Sequence, residues 1–310
     1  MTADSSRPQP ISPPAPASAT PAAAAPPDEI EKLQARHSGL AATLQIRQDR
    51  ERAFHDVWAS EVDPHELDPI RRAFCATTPE TTYAFRALGE LKGKRVLDLG
   101  CGAGETTAWL ALQGAHVHGV DISPGMIEVT RALAERQGVA DRVELHISPG
   151  EKLPFPDAYF DAVFGHDCLH HMDFDKSRDE FQRVLKPGGR AVFAEPLGHN
   201  PIINHFRNIS PKTRTPDEVP LRFSDFKRLG KGFRSIRHHE FQFTTLALFL
   251  WFYLVERSDP NEVRYWKKII VEAERYRPAF ALFDWFDRAM VTVFPPSGRL
   301  CRMTVIVLER

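Results

Sequence analysis

The apolar residues of this chain change period at residue 94. Downstream, short apolar runs at 95–99, 116–120, 143–146, 162–164 and 190–194 alternate with amphipathic stretches at 106–113, 124–137 and 175–185. The short runs read as strands, and the longer stretches, apolar at every third or fourth position, read as the helices between them. Successive strands separated by a helix pair side by side only through a crossover, and such crossovers are right-handed. The pattern therefore predicts an α/β fold on a doubly wound, mostly parallel sheet. Ligands of such sheets bind beyond the carboxyl ends of the strands, so the loops after these runs are where chemistry is to be sought. Lys186-Pro187-Gly188-Gly189 reads as a turn that ends a helix and feeds the strand at 190–194.

The flanks differ from this centre. Residues 1–27 contain 8 Pro and 8 Ala, a composition that builds no apolar face and predicts a disordered or extended tail. Residues 28–93 read as N-terminal helices that form a lid or cap. Residues 28–58 carry apolar residues at helical spacing, Asp63-Pro64 and Asp68-Pro69 break the pattern, and Pro79 opens a helix to about Leu88. The main domain, 94–310, has two expected insertions. One, at about 197–232, is irregular and precedes a strand at 235–244. The other, at about 246–298, is helical and aromatic and precedes a last strand at 302–308.

Charge and cysteine usage bound the partners. Forty Lys and Arg against 41 Asp and Glu leave a formal charge of −1, so no global field draws the chain onto nucleic acid or anionic lipid. Cys75, Cys101, Cys168 and Cys301 lie far apart without a C-x-x-C pair and read as reduced thiols. No H-x-x-x-H or Cys/His cluster has ligand spacing, and no metal is expected. The longest apolar stretch, 241–255, is shorter than the roughly 20 residues a bilayer-spanning helix needs. The first residues lack the apolar core of a secretory signal, and the expectation is a cytoplasmic protein.

The sharpest local feature is Val96-Leu97-Asp98-Leu99-Gly100-Cys101-Gly102-Ala103-Gly104-Glu105, an apolar strand running into a glycine-rich turn and then a helix. Glycines let a ligand approach the backbone, and the helix start offers free N–H donors. The dinucleotide pattern G-x-G-x-x-G needs glycine where Glu105 stands, which weakens a nicotinamide reading. Asp121 ends the next run, 21 positions after Gly100, the distance expected for a carboxylate that accepts ribose hydroxyls. With Pro124 close behind, Asp121 also reads as an acid at a helix N-terminus.

These motifs, with Leu153-Pro154-Phe155, Phe160-Asp161, Leu169-His170-His171 and Arg183-Val184-Leu185-Lys186-Pro187-Gly188-Gly189, resemble class I S-adenosylmethionine-dependent methyltransferases over roughly residues 80–200. The resemblance is to the small-molecule "type 11" group. It implies a Rossmann-like sheet of seven strands with the last antiparallel, and S-adenosyl-L-methionine lying across the strand tips. Asp98 with Gly100, Cys101, Gly102 and Gly104 would hold the methionyl end and sulfonium. Asp121 would take the ribose hydroxyls and Ile122 would pack on the adenine. Where the group usually has an adenine-binding Asp, this chain has Ile147-Ser148-Pro149-Gly150-Glu151, so Ser148, a backbone group or Glu151 would substitute. Asp167 would contact the donor's amino group.

A methyl acceptor that is a phenol, hydroxyl or carbon acid needs a base, and the candidates at the strand tips are His166, Asp167, His170 and His171 after the fourth strand and Glu195 and His199 after the fifth, with His166, His170 and His199 taken as the catalytic set. Between Arg207 and Arg237 the chain carries nine basic residues against three acids, read either as a site for a carboxylate or phosphate or as a solvated face. Residues 241–294 hold 14 of the 31 aromatics, read as a lid over an apolar acceptor, a homodimer or peripheral membrane contact, or a larger core. The sequence thus points to a methyltransferase for a small, apolar or aromatic acceptor. An NAD(P)-dependent oxidoreductase and a catalytically silent donor-binding or assembly module are the rivals.

Overall fold

The computed structural model describes residues 44–310, so the expected tail at 1–27 and the first part of the expected helix at 28–58 lie outside the described residues. Strands β1 (Arg95–Leu99), β2 (His116–Asp121), β3 (Val143–Ile147), β4 (Phe160–His166), β5 (Leu185–Pro196), β6 (Ser235–Phe241) and β7 (Met303–Glu309) form one seven-stranded sheet in the order β3-β2-β1-β4-β5-β7-β6. Neighbours among β1 to β5 pair in parallel, and β7 runs antiparallel to β5 and to β6. The helices are α1 (Leu44–Ser60), α2 (Pro69–Ala73), α3 (Pro79–Leu88), α4 (Glu105–Leu112), α5 (Pro124–Arg136), α6 (Phe174–Val184), α7 (Pro201–Ile209), α8 (Phe223–Leu229), α9 (Leu246–Leu254), α10 (Tyr265–Val271) and α11 (Ala273–Val293).

The period of two along each strand builds the two faces. Val96, Ala162, Phe164, Val192 and Ala194 pack on one face with Phe85 and Trp109, while Leu97, Leu99, Val163, Ala191 and Phe193 pack on the other with Phe181 and Leu229. From β1 the chain passes to β2 on one side, and β4 returns on the other. That reversal opens a crevice at the carboxyl ends of β1 and β4, the place where such sheets take ligands.

Three expectations are corrected. Lys186-Pro187-Gly188-Gly189 is not a separate turn. It is the irregular beginning of β5, where pairing with β4 shifts register between Phe160 and Ala162 and Gly188 takes φ 77°. Asp68-Pro69 does more than break a pattern: Asp68 Oδ1 accepts the amides of Ile70 and Arg71 and Pro69 occupies the first turn, so the pair starts α2. The stretch at 197–232 holds α7 and α8 rather than irregular chain.

Ile203 and Phe206 of α7 pack with Leu246, Phe249, Phe252, Tyr265, Ile269 and Tyr276 into a third core above the sheet. α9, apolar all round, is only half covered: Leu246, Phe249 and Phe252 are buried, while Trp251 and Leu254 are exposed. Among the described residues no helix is long and apolar enough to cross a membrane.

Candidate active site

The three glycines after β1 do different work. All have positive φ: 68° at Gly100, 53° at Gly102 and 84° at Gly104. A Cβ on Gly100 would meet Cys168 Cβ at 2.6 Å and one on Gly104 would meet Thr130 at 2.6 Å, so these two let the turn press on the protein. A Cβ on Gly102 would meet nothing within 4 Å, so this glycine opens the turn to a ligand. Cys101 is buried beneath the turn, and its amide, like that of Gly100, bonds the Val120 carbonyl.

Asp121 at the tip of β2 locks that turn to the next. Its Oδ2 accepts the Gly102 amide at 2.9 Å and its Oδ1 the Ser123 amide at 2.9 Å. Each oxygen keeps a lone pair for a ligand hydroxyl. Asp98, Gly102, Asp121, Ile122, Glu151 and Asp167 all line one cavity of about 370 Å³. Glu151 is tied into the protein in the same way as Asp121, Oε1 accepting the Asp173 amide at 2.7 Å and Oε2 accepting Gln48 Nε2 at 3.1 Å, and each oxygen keeps a lone pair. The Ser148 hydroxyl donates to the Lys152 carbonyl at 2.7 Å.

The three histidines separate. His170 Nδ1 lies 2.8 Å from Glu195 Oε2 at the tip of β5. Glu195 is fully buried, and its carboxylate also accepts the amides of Cys168, Leu169 and His170 at 3.0, 2.9 and 3.4 Å. The charge is therefore held by a ring of donors, and the imidazole is oriented by it. His166 lines the donor-side cavity, but its Nε2 lies 3.2 Å from Thr81 Oγ1 and 3.4 Å from Arg72 Nη2, and its Nδ1 is 3.2 Å from Asp167. His199 is not brought to the other two: its Nε2 accepts the Phe223 amide at 3.0 Å, and it lines neither of the two cavities described in this section.

Residues 97–193 match the family model described as a methyltransferase domain. These residues belong to a methyltransferase domain, whose sheet continues beyond them through β6 and β7. The chain is 36% identical over 135 residues to methyltransferase GfsG of Streptomyces halstedii, covering 43% of this chain and 48% of the relative. It is 45% identical over 113 residues to a demethylmenaquinone methyltransferase of Clavibacter sepedonicus, covering 36% of this chain and 44% of the relative. The match thus spans about half the length of these curated relatives. A solved structure of phosphoethanolamine N-methyltransferase 2 from Haemonchus contortus, in complex with S-adenosyl-L-methionine, shares the fold, with TM-score 0.55 and 19% identity over 88% of this chain and 60% of that one.

Within the methyltransferase domain Asp98 is a carboxyl that burial strongly perturbs. It is buried under the glycine turn, accepts Thr107 Oγ1 at 2.6 Å, and burial pushes its pKa up to about 7, with the Thr107 bond and His166 opposing and Asp121 adding to the rise. Below that value the free protein holds Asp98 neutral, and a cationic ligand must first drive off its proton. Affinity for S-adenosylhomocysteine, whose amino group is cationic, is therefore expected to increase as pH rises through about 7. Calorimetry from about pH 6 to about pH 8 reads this, and the Asp98→Asn variant should lose the pH dependence.

Sequence reasoning missed the wall opposite the turn, which α1 supplies. Arg52 donates to the Ile122 carbonyl at 3.3 Å, Asp56 Oδ1 accepts Ser123 Oγ at 2.5 Å, and Glu51 Oε1 accepts Thr215 Oγ1 at 2.5 Å. Glu51 Oε2 lies 3.0 Å from His171 Nδ1. Burial opposes both charges, yet each holds the other ionised: Glu51 falls to about 2 and His171 rises to about 9. No local pattern marks Arg50 and Glu51, because their burial, which requires partners from elsewhere in the chain, is a product of the fold.

A second cavity of about 210 Å³ adjoins the first, sharing His55, Trp58, Asp167, His171 and Trp266 in its lining. His170 lines it, as do Phe206, Phe249 and Tyr265 of the third core.

Proposed function

We propose that the chain transfers the methyl group of S-adenosylmethionine to a small acceptor with an apolar or aromatic body, releasing S-adenosylhomocysteine. The observation that carries this reading is the His170–Glu195 pair on the wall of a partly aromatic cavity that shares five residues with the glycine-turn cavity. The residues fit the donor. Gly102 leaves the turn open to it, the spare lone pairs of Asp121 suit two vicinal hydroxyls, and Ile122 offers an apolar face for the adenine. With the Ser148 hydroxyl and amide engaged and Pro149 lacking an N–H, the Gly150 amide and the spare lone pairs of Glu151 are the groups left to read the adenine edge.

When bound, the donor supplies a methyl group already activated by a positively charged sulfur. What the chain adds is alignment, exclusion of water and a base. His170 donates its Nδ1–H to Glu195, which leaves Nε2 as the basic nitrogen. Nε2 takes the acceptor's proton, and Glu195 stabilises the imidazolium that forms. Trp58, His171 and Trp266 wall the passage between the two cavities.

The test is incubation of the protein with methyl-labelled donor and a cell extract, followed by mass spectrometry of the metabolites. One small molecule gaining the label is the expected result. Donor binding with no label transferred to any metabolite would refute the catalytic reading in favour of a silent module. A thermal shift with NAD(H) but not with the donor would favour the oxidoreductase.

A further inference from the structure

The second cavity is lined by aromatic and by cationic residues together. Arg207, Arg214 and Arg302 all line it. Their protein partners are mostly neutral. Arg207 Nη1 donates to the Leu197 carbonyl at 3.1 Å and to Asn204 Oδ1 at 2.8 Å, and Arg302 Nε donates to Gln242 Oε1 at 2.7 Å. Arg214 Nε and Nη2 donate to the backbone and hydroxyl oxygens of Ser210. Among the described residues the sole acid within ion-pair distance of these three is Glu218, 3.5 Å from Arg214. Asp167, the other acid of the lining, stands 3.2 Å from His166. Among the described residues Arg207 and Arg302 therefore have no carboxylate at ion-pair distance; Glu80, bonded to Arg302 only through Gln242, and Asp167 and Glu218 act on them at longer range.

Such an arrangement is costly in the free protein, because a guanidinium taken out of water without a counter-ion loses hydration that neutral acceptors only partly restore. The cost is visible in Arg207, whose pKa falls to about 10, chiefly through burial and then through the nearby Arg214, with Arg302 also lowering it. Of the nine basic residues counted between Arg207 and Arg237, only Arg207 and Arg214 line this cavity; Arg228 and Arg237, for example, lie outside it and pair with Asp175 at 2.8 Å and Glu309 at 2.9 Å. The cluster is thus specific to the cavity. Phe206, Phe249, Tyr265 and His170 line the same cavity, with the Arg302 guanidinium 5.8 Å from the centre of the Phe249 ring.

We infer that the acceptor carries an anionic oxyacid group, a carboxylate or a phosphate, seated on Arg207 and Arg302 while its apolar body rests on the aromatic wall. The inference rests on the methyltransferase reading above and names the substrate class for that same site. Guanidinium forks match the planar oxygens of a carboxylate and the paired oxygens of a phosphate equally well. Fixing the acceptor at its anionic end also orients the atom to be methylated, which is most of what such catalysis requires.

The experiment is calorimetry on the full chain saturated with S-adenosylhomocysteine, titrated with 4-hydroxybenzoate, with phenyl phosphate and with uncharged 4-hydroxybenzamide. At least one of the two anions is expected to bind about tenfold or more tightly than the amide, with the preference falling as salt is raised. The tighter of the two anions identifies which oxyacid the site prefers. Arg207→Gln and Arg302→Gln should each remove most of the preference while leaving amide binding and S-adenosylhomocysteine affinity unchanged, and Arg302→Lys should retain part of it. Neither anion binding better than the amide, or a preference that survives both glutamine substitutions, overturns the inference. Failure of S-adenosylhomocysteine itself to bind would instead refute the donor site on which the inference depends.

Discussion

Asp121→Ala is expected to abolish most donor binding. Two ligand hydroxyls would lose charge-assisted acceptors, each worth roughly 1.5–3 kcal/mol, so affinity should fall by about a hundredfold or more. The carboxylate also carries the amides of Gly102 and Ser123, so its removal frees the glycine turn as well as the ribose end of the site. Asp121→Asn separates the two effects, because an amide oxygen can keep one backbone bond without the charge. Calorimetry with S-adenosylhomocysteine measures the loss, and an unchanged melting transition shows that the sheet persists. Donor affinity equal to that of the unmodified protein in Asp121→Ala would sink the assignment of the site.

The second large effect is expected from His170→Ala. If Nε2 takes the acceptor's proton, turnover should fall by roughly a hundred- to ten-thousandfold while donor affinity stays the same. Glu195→Gln should lower turnover too, and by a different route. It removes the anion that orients the imidazole, and it leaves the amides of Cys168 and Leu169 facing a neutral group, so it should also cost stability, about 1–3 kcal/mol. A turnover number unaltered by His170→Ala would rule out this residue as the base.

What was legible in the chain follows from where the information resides. The glycine turn and Asp121 belong to motifs only a few residues long, with physical demands such as positive φ at Gly100, Gly102 and Gly104 that only particular residues meet cheaply. The parallel sheet was legible because strand and helix periods are properties of a short window. Helices α7 and α8 were not read, because their short amphipathic turns are interrupted by Pro211, Pro216 and Pro220. The turn at Lys186-Pro187-Gly188-Gly189 was misread because Pro and Gly mark a break locally, whereas pairing with β4 absorbs them as a bulge.

The base could not be chosen from the sequence. His166, His170 and His199 all follow strands, and what distinguishes them is a partner: Thr81 and Arg72 for the first, buried Glu195 for the second, the Phe223 amide for the third. Those partners lie 24 to 94 positions away, beyond the reach of any local pattern. The same holds for Glu51, whose role as a wall of the cleft depends on Thr215 and His171.

By itself, then, the sequence determined the sheet, the glycine turn and the acid at the tip of β2, since each follows from short-range sterics and hydrogen bonding. The tertiary structure alone decided which histidine is oriented by a buried carboxylate, and that Arg207 and the distant Arg302 meet beside aromatic residues with no carboxylate at ion-pair distance. Charge on a surface and charge in a cavity look alike in a sequence. They differ only in what the folded chain places next to them, and in a desolvated pocket that difference decides whether an arginine is satisfied by the protein or requires a ligand.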